Sequence, residues 1–252
     1  MSGKRSLNGF LDGRTALVTG AARRIGAAIV QALAGQGAAV VIHYRDSGDE
    51  AKALAVELQT RGSKASLVCG DLADPAAAAG LVGEAAREAG RPIDILINNA
   101  SIFESGSEKW DQHQAVNLRA PYLLAQAFAA QLPIDGPADI INMNDIRAMR
   151  PGADYLAYTI SKVGLHGLTR SLAQALAPRA RVNELALGAV LPPDGPAGDG
   201  ESTFEYVHTL REAIPMRNFP SVAEVTDSLL FLLGNEAVTG QTIQVDGGEH
   251  LV

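Results

Sequence analysis

The feature that most constrains the fold is a regular alternation between short apolar runs and longer alanine-rich stretches. In the first half of the chain, runs rich in Val, Ile and Leu occupy residues 15–20, 38–44, 64–70 and 93–100. The stretches between them, at residues 24–36, 50–62 and 75–89, have the composition of helices. Short β-branched runs separated by helices are typical of parallel strands joined by helical crossovers.

The second half of the chain continues this pattern. Long helices are predicted at residues 109–131 and 155–177, and strands at 138–144, 180–187 and 241–246. Strands that are apolar almost throughout are expected where helices cover both faces of a parallel sheet. We therefore predict an α/β fold, a single doubly wound Rossmann-type domain with a central parallel sheet of about seven strands.

The length of 252 residues suits one such domain. Residues 1–11 are expected to form a flexible N-terminal tail, which leaves 12–252 for the domain. Residues 191–203 are rich in Pro, Gly and Asp and follow a predicted strand, so we expect a substrate loop or lid over 191–215; the alternative is an ordinary surface loop. Cys69 is the lone cysteine, which excludes an internal disulfide, and its place at the end of the run LVC favours burial.

Charge and composition argue against several functions. The net charge of −7 is unlike that of a nucleic-acid binder, which usually has a basic face. The N-terminus lacks the apolar run of a signal peptide and no stretch is apolar enough to span a membrane, so we expect a cytoplasmic protein. The histidines lack metal-ligand spacing, so no metal site is predicted, and His113 is expected on a helix surface or at an interface.

A glycine-containing turn, TGAARRIG, links the first strand to the first helix at Thr19–Gly26. Backbone N–H groups in such a turn can approach a pyrophosphate, whose charge the helix N-terminus favours. The strict G-x-G-x-x-G pattern is not met, because Arg24 stands where a glycine is usual. We predict that Gly20, Arg23, Arg24 and Ile25 bind a dinucleotide; the alternative is that the glycines serve only turning and packing.

The residues after the second strand favour NADPH over NADH. An NAD enzyme usually places an acid here to bond the ribose 2′-hydroxyl, but this chain has His43, Tyr44 and Arg45 before any acid. Arg45, with Ser47 and the arginines of the glycine turn, is suited to a 2′-phosphate. Asp46 argues against this assignment, because its carboxylate would repel the phosphate if it pointed inward.

The ends of the third and fourth strands complete the predicted cofactor site. Its members there are Asp71, Leu72, Asn99, Ala100 and Ser101. Asp71 and Leu72 are placed to flank the adenine. The segment around Asn99 either contacts the cofactor backbone or braces the sheet.

Tyr158 and Lys162 are the predicted chemical centre. They are four residues apart on a predicted helix and therefore share one face. A nearby ammonium favours a phenolate, so Lys162 is expected to lower the pKa of Tyr158 toward the operating range. Tyr158 would then give a proton to the substrate atom that becomes negative as hydride arrives, while Lys162 also binds the cofactor. Asn117, in the helical stretch AVNLRAPY, is predicted to bond a backbone carbonyl and hold a water beside Lys162.

These features resemble the short-chain dehydrogenase/reductase family, and the resemblance covers nearly the whole chain. TGAARRIG, NNA, Asn117, YTISK and the closing TGQTIQVDGG occur in that family's order. The resemblance implies NAD(P)H as cofactor, a Tyr–Lys–Asn centre and usually a homotetramer. A Leu187-Gly188 pair stands where the family commonly has Pro-Gly, and Glu184 is an unexpected charge in the same strand. Gly188 is retained as a cofactor-binding residue.

Within the family, the chain looks like the pteridine reductases. Asp145 stands where the family's catalytic serine is usual, and Ser101-Ile102-Phe103 follows NNA. The resemblance implies that Phe103 stacks on the pterin and that Arg24 and Ser101 bond polar edges of the pterin or the cofactor phosphates. Asp145 would orient Tyr158, and Leu191 is assigned to the substrate pocket. The alternatives are a core aromatic for Phe103, a turn cap for Asp145 and a solvated helix residue for Arg24.

The function predicted from the sequence is NADPH-dependent reduction of pterins of the dihydropterin, biopterin or dihydrofolate type. The closest alternative is a short-chain carbonyl reductase, for example of a 3-oxoacyl thioester. Asp145 weighs against that alternative, because a serine hydroxyl would polarise a carbonyl without adding negative charge. A nucleotide-binding regulator without turnover is a third reading, against which Tyr158, Lys162 and Asn117 argue together.

Overall fold

A parallel β-sheet forms the centre of the computed structural model, which describes residues 9–104, 106–132, 136–190, 208–209 and 211–252. The strands are β1 (Thr15–Val18), β2 (Ala39–Tyr44), β3 (Ala65–Cys69), β4 (Ile95–Asn98), β5 (Asp139–Asp145), β6 (Arg181–Leu187) and β7 (Thr242–Val245). They lie in the order β3-β2-β1-β4-β5-β6-β7, and each neighbouring pair is parallel. The predicted doubly wound fold is thereby confirmed.

Helices cover both faces of the sheet. They are α1 (Arg24–Gly35), α2 (Gly48–Thr60), α3 (Pro75–Ala89), α4 (Trp110–Gln114), α5 (Ala120–Gln131), α6 (Leu156–Leu176) and α7 (Val222–Gly234). The helix predicted at 109–131 is not regular, because a π-helical turn at Ala115–Arg119 separates α4 from α5. Helix α7 was missed from the sequence, although Ser221 and Glu224 form a capping box at its start.

Side chains alternate between two hydrophobic cores along each buried strand. In β1, Ala16 and Val18 face the core under α1, α2 and α7, whereas Leu17 faces the core under α3, α5 and α6. Successive strand residues point to opposite faces. A strand buried on both faces must therefore be apolar at every position, which is the pattern that predicted the parallel sheet.

Two expectations about burial were wrong. Cys69 is exposed rather than buried, because β3 is an edge strand and Cys69 is its last residue. Leu11, assigned to the tail, is only 1% exposed, and its N–H donates to the carbonyl of Gln36. The packed domain therefore includes Leu11.

An ionic cluster ties together the amino ends of four strands. Arg14 lies 2.6 Å from Asp94 and 2.9 Å from Asp139, and Arg181 lies 2.5 Å from the other oxygen of Asp139. Arg14 and Asp94 immediately precede β1 and β4, while Asp139 and Arg181 begin β5 and β6. The cluster therefore links the amino ends of these strands. The predicted site residues follow the carboxyl ends, at the opposite edge of the sheet.

Strand β1 pairs with β2 on one side and with β4 on the other. From β1 the sheet extends through β2 to β3 on one side, and from β4 to β7 on the other. The order in which strands are added therefore reverses between β1 and β4. Such a switch point opens a crevice at the carboxyl ends of the strands, where ligands bind in open α/β sheets. This edge carries the site. None of the helices in the described ranges is long and apolar enough to cross a membrane.

Candidate active site

A cavity of about 410 Å³ opens at the switch point. It is bordered by all the cofactor residues predicted from the first four strands. These are Gly20, Arg23, Arg24, Ile25, His43, Tyr44, Arg45, Ser47, Asp71, Leu72, Asn99, Ala100 and Ser101. The sequence motifs thus converge on one crevice.

The glycine turn needs glycine for close approach. Gly20 has φ +60°, and a Cβ there would lie 2.9 Å from the Cα of Ala100. A Cβ on Gly26 would meet the carbonyl oxygen of Gly20 and lie 2.7 Å from Nδ2 of Asn99. Asn99 also donates to the carbonyl of Thr19 at 2.8 Å, so its side chain braces the turn. The turn therefore keeps its backbone open to a ligand.

Arg24 adopts the left-handed backbone that glycine normally provides, with φ +54°. For a residue with a Cβ this costs about 1–3 kcal/mol, a cost typical of functional sites. Arg23 occupies the N-cap of α1, yet within the described part of the chain its side chain makes no capping hydrogen bond. The first turn of α1 is thus available to an anion.

His43 supports the glycine turn rather than presenting a charge. Its Nδ1 accepts from the N–H of Gly20 at 3.0 Å, and its Nε2 lies 3.1 Å from the carbonyl oxygen of Gly70. Burial lowers the pKa of His43 to about 4, so the imidazole is neutral near pH 7. Since the Gly20 N–H donates to Nδ1, the proton is on Nε2 and points at Gly70.

Arg45 and Asp46 lie at the mouth of the cavity and contact each other. The Nε of Arg45 donates to Asp46 at 2.5 Å, and both side chains are at least half exposed. The Asp46 carboxylate therefore faces the guanidinium edge that holds Nε. The open turn of α1, the close backbone approach at Gly20 and the exposed arginine together fit a dinucleotide carrying a phosphate on its ribose.

Tyr158 and Lys162 share one buried face of α6, as predicted. The Lys162 Nζ lies 5.6 Å from the centre of the Tyr158 ring and donates to the carbonyl of Met143 at 2.9 Å. Burial lowers the pKa of Lys162 to about 8, against the opposing charges of Asp145 and Glu184. The ammonium is therefore held beside the tyrosine but aimed at the end of β5.

The predicted lowering of the Tyr158 pKa was wrong. The Tyr158 hydroxyl donates to Oδ2 of Asp145 at 2.7 Å. Burial, together with this carboxylate, raises the pKa of Tyr158 well above its ordinary value. The nearest charge is an acid rather than the ammonium of Lys162, so Tyr158 keeps its proton. A protonated tyrosine is the form that a proton donor requires.

Asp145 also acts as a turn cap. Its Oδ1 accepts from the N–H of Arg147 at 2.8 Å, at the start of a short 3₁₀ turn, Ile146–Ala148. Its Oδ2 is the atom that receives Tyr158. The capping bond fixes one oxygen, so the other is directed at the tyrosine. The two interpretations of Asp145 are therefore both realised.

Asn117 lies in the π-helical turn between α4 and α5. Its Nδ2 donates to the carbonyl of Ile102 at 3.0 Å and to Ser161 Oγ at 3.1 Å, and its Oδ1 accepts from the N–H of Ile102. π-helical turns occur frequently at functional sites. Asn117 thus ties the segment that carries Phe103 to helix α6.

Phe103 lies over the chemical centre and is 54% exposed. Its ring stacks on Tyr155 at 4.3 Å between centroids and meets Tyr158 edge-on at 4.7 Å. Arg147 lies 5.4 Å from the Tyr155 ring and pairs with Asp154 through both terminal nitrogens. The site therefore has an aromatic wall with a cation at its edge.

Three residues of this wall were missed or misjudged from the sequence. Tyr155 has a left-handed backbone, φ +50°, which sets its ring against Phe103; its position three residues before Tyr158 was the available signal. Arg147 lies two residues after Asp145. His113, expected on a helix surface or at an interface, is fully buried within the chain, and its ring is 6.1 Å from that of Tyr158.

The remaining predicted residues lie at the edge of the centre or outside the description. Gly188 follows β6, where a Cβ would lie 2.5 Å from Glu249 and 2.8 Å from the Cβ of Asp246. Leu191 and most of the predicted lid at 191–215 lie outside the described residues. Among the residues described, no group of three or more His, Cys, Asp and Glu side chains is arranged to hold a metal ion.

Comparison with known proteins gives one family and several named activities. A family model described as enoyl-(acyl carrier protein) reductase matches residues 20–250. Pteridine reductase 1 of Leishmania tarentolae is 34% identical, over 94% of this chain and 96% of its own. L-xylulose reductase of Bos taurus is also 34% identical, over 94% and 97%.

A solved structure is similar over nearly the full length. FolM alternative dihydrofolate reductase 1 of Brucella canis, complexed with NADP, has a TM-score of 0.86 and 38% identity, and 95% of each chain is covered. The chain is as identical to a relative named for a pteridine as to one named for a sugar. Identity alone therefore does not choose a substrate, and the side chains around Tyr158 must do so.

Proposed function

Because this chain belongs to the short-chain dehydrogenase/reductase family, we propose that it is an NADPH-dependent reductase of pterins of the dihydropterin, biopterin or dihydrofolate type. The family uses a nicotinamide cofactor, which supplies the hydride when it is bound. The observation that carries the proposal is the 2.7 Å contact between the Tyr158 hydroxyl and Asp145. An acid stands where a carbonyl reductase of this family has a serine hydroxyl.

The reaction adds hydride to the carbon of a ring C=N bond and a proton to its nitrogen. Tyr158 holds that proton, because its high pKa prevents loss to solvent before negative charge develops on the nitrogen. Asp145 aims the hydroxyl and, being only half-buried, connects Tyr158 to solvent for reprotonation. Lys162 keeps a positive charge beside the centre while the substrate becomes negative.

The aromatic wall supports a flat heteroaromatic substrate. Phe103 already stacks on one ring and meets a second edge-on, so its face accepts an aromatic partner. A pterin between Phe103 and the nicotinamide would bury both of its faces. Arg24 and Ser101, which border the cavity beside this wall, are suited to the polar edges of the pterin or to the cofactor phosphates.

A short-chain carbonyl reductase is the second candidate, favoured by the 34% identity to L-xylulose reductase. Asp145 weighs against it, because an ionised carboxylate cannot donate the hydrogen bond with which a serine hydroxyl polarises a carbonyl oxygen. A binding-only role requires that Tyr158, Lys162 and Asn117 be retained without turnover.

The deciding experiment measures NADPH oxidation with dihydrobiopterin, dihydrofolate and an acetoacetyl thioester in parallel. We expect turnover of at least one of the two pterin-containing substrates and little or none of the thioester. Turnover of the thioester alone would establish the carbonyl reductase. If none is reduced although NADPH binds, the binding-only role is favoured.

Replacing Phe103 with alanine is expected to weaken pterin binding by about 10-fold or more, since a base-sized ring stacked on an aromatic contributes about 1–3 kcal/mol. NADPH binding should change little. Dissociation constants for both ligands, measured by quenching of the fluorescence of the lone tryptophan, Trp110, or by calorimetry, test this.

Phe231→Ala is the matched control, because Phe231 is 53% exposed on α7. It should leave both dissociation constants unchanged. An equal loss of pterin and NADPH binding in Phe103→Ala would assign Phe103 to the scaffold instead.

We further propose that the chain is a cytoplasmic homotetramer that binds neither membrane nor nucleic acid. The self-association is supported by apolar side chains exposed on neighbouring helices, Tyr122 on α5 and Leu156, Ile160 and Val163 on α6. Burying such a face against a second copy would remove it from water. Sedimentation velocity of the purified chain measures the assembly, and a monomer at micromolar concentration would refute it.

A further inference from the structure

Glu184 is a carboxylate in the middle of strand β6 that the proposed reaction does not use. It is 0% exposed, and its neighbours in the strand are buried as well. A carboxylate survives such burial only when hydrogen bonds and a counter-charge compensate for the water it has lost. Its partners therefore indicate why it is there.

Side chains from three other elements converge on the Glu184 carboxylate. Its Oε1 lies 2.5 Å from His166 Nδ1 on α6 and 2.7 Å from Thr242 Oγ1 on β7. Its Oε2 accepts from Asn144 Nδ2 at 2.9 Å and lies 3.0 Å from Thr169 Oγ1. His166 is the partner that can supply positive charge, and it is also the one that reaches the surface, with 26% of its side chain exposed.

Asn144 connects this carboxylate to the chemical centre. Its Nδ2 donates to the backbone carbonyl of Lys162 at 3.2 Å as well as to Glu184. Its Oδ1 accepts from the backbone N–H of Asp145 at 2.9 Å. One amide thus joins the end of β5, the catalytic turn of α6 and the middle of β6. The Glu184 carboxylate thus helps to hold the amide in the orientation that serves both Lys162 and Asp145.

We propose that Glu184 is a positioning residue of the active site, which fixes Asn144 and through it the placement of Asp145 and Lys162 about Tyr158. Its role depends on the proposed catalytic centre but not on the identity of the substrate. Asn144, Glu184 and His166 form one hydrogen-bonded bracket behind Tyr158.

The same carboxylate influences the charge state of Lys162. Lys162 is faced by Asp145 from the end of β5, by Glu184 from β6 and by the Tyr158 ring on its own helix. Tyr158 is faced in addition by Arg147 and His113. Burial lowers the pKa of Lys162 to about 8, and the two carboxylates oppose that lowering. Removing one of them should let the pKa fall further.

Glu184→Gln tests the proposal, because it keeps the shape of the side chain, removes the charge and leaves one acceptor oxygen for the four side chains that now share two. We expect kcat to fall about 10- to 100-fold, the scale of a small misplacement of reacting groups, with KM values for both substrates nearly unchanged. The pKa of Lys162, read by NMR of the apoprotein labelled at its five lysines, should fall by about half a unit or more.

Asp139→Asn is the matched control. Asp139 is an equally buried carboxylate, 1% exposed, and it lies in the ionic cluster at the opposite end of β5. This variant should lose thermal stability while kcat and the pKa of Lys162 stay as in the wild type. The proposal is overturned if Glu184→Gln behaves in the same way.

Asn144→Ala tests the bracket if Glu184→Gln does not fold. It leaves the Glu184 carboxylate with its contacts to His166, Thr169 and Thr242 and removes only the link to Asp145 and Lys162. We expect a loss of kcat of similar size to that of Glu184→Gln, and the double variant should lose little more than either single variant. An unchanged kcat in Asn144→Ala would overturn the proposal independently of the first variant.

Discussion

Tyr158→Phe should lower kcat by about 10²- to 10⁴-fold, the range that a positioned proton donor contributes. Phenylalanine keeps the ring packed against Phe103 and His113 and removes only the hydroxyl that donates to Asp145. NADPH binding and thermal stability should therefore change little. Steady-state NADPH oxidation, combined with a binding titration, separates the loss of chemistry from a loss of binding.

Tyr122→Phe provides the comparison for Tyr158→Phe. Tyr122 lies on α5, and its side chain is 46% exposed. Its variant should retain full activity. If Tyr158→Phe kept more than about a tenth of the wild-type kcat, the proton would have to come from another group, and general acid catalysis by Tyr158 would be refuted.

Asp145→Ser should reverse the preference between a ring C=N bond and a carbonyl. We expect kcat/KM for the pterin substrate to fall about 100-fold, because Tyr158 loses the acceptor that aims its hydroxyl. Without the carboxylate the pKa of Tyr158 should also move back toward its ordinary value. Serine remains a good cap for the turn that starts at Ile146, so the fold should be retained. The acetoacetyl thioester should gain relative to the pterin in the same assay.

Asp74→Ser makes the same exchange at a site away from the chemistry. Asp74 caps helix α3 by accepting from the N–H of Ala76, and it does not border the cavity. Its variant should leave the ratio of the two kcat/KM values unchanged. A ratio that also stays constant in Asp145→Ser would show that Asp145 does not determine the substrate.

The sequence motifs were sufficient to locate the site because the topology of a parallel sheet determines where its ligand crevice lies. Parallel strands end at one edge, so residues that follow β1, β2, β3 and β4 must border one crevice. The residue at the end of β5 and the face of α6 then join them, which is how Asp145, Tyr158 and Lys162 came together. Helix α7 is a different case, because the capping pattern of Ser221 and Glu224 marks its start in the sequence itself.

The four-residue spacing between Tyr158 and Lys162 did not reveal which neighbouring charge shifts the pKa of Tyr158. The four-residue interval places Lys162 on the same face, but the ammonium extends to the carbonyl of Met143 and the hydroxyl to Asp145. Whether the pKa of Tyr158 rises or falls depends on where its hydroxyl and the Lys162 ammonium point and on how deeply they are buried. Both properties follow from the packed structure and not from the spacing. The exposure of Cys69 was misjudged because it depends on which strand lies at the edge of the sheet. The burial of His113 depends on how α4 packs against α6, where the His113 ring lies 6.1 Å from that of Tyr158.

The ionic cluster at the amino ends of the strands has a consequence for how this chain can diversify. Arg14, Asp94, Asp139 and Arg181 anchor four strands at the end of the sheet opposite to the proposed catalytic centre. The opposite end can therefore tolerate backbone conformations as costly as those of Arg24 and Tyr155. Because the ionic cluster stabilises the sheet from the amino ends of its strands, we expect the loops at the carboxyl ends to tolerate substitution. Changes in those loops could then alter the substrate while the sheet remains the same.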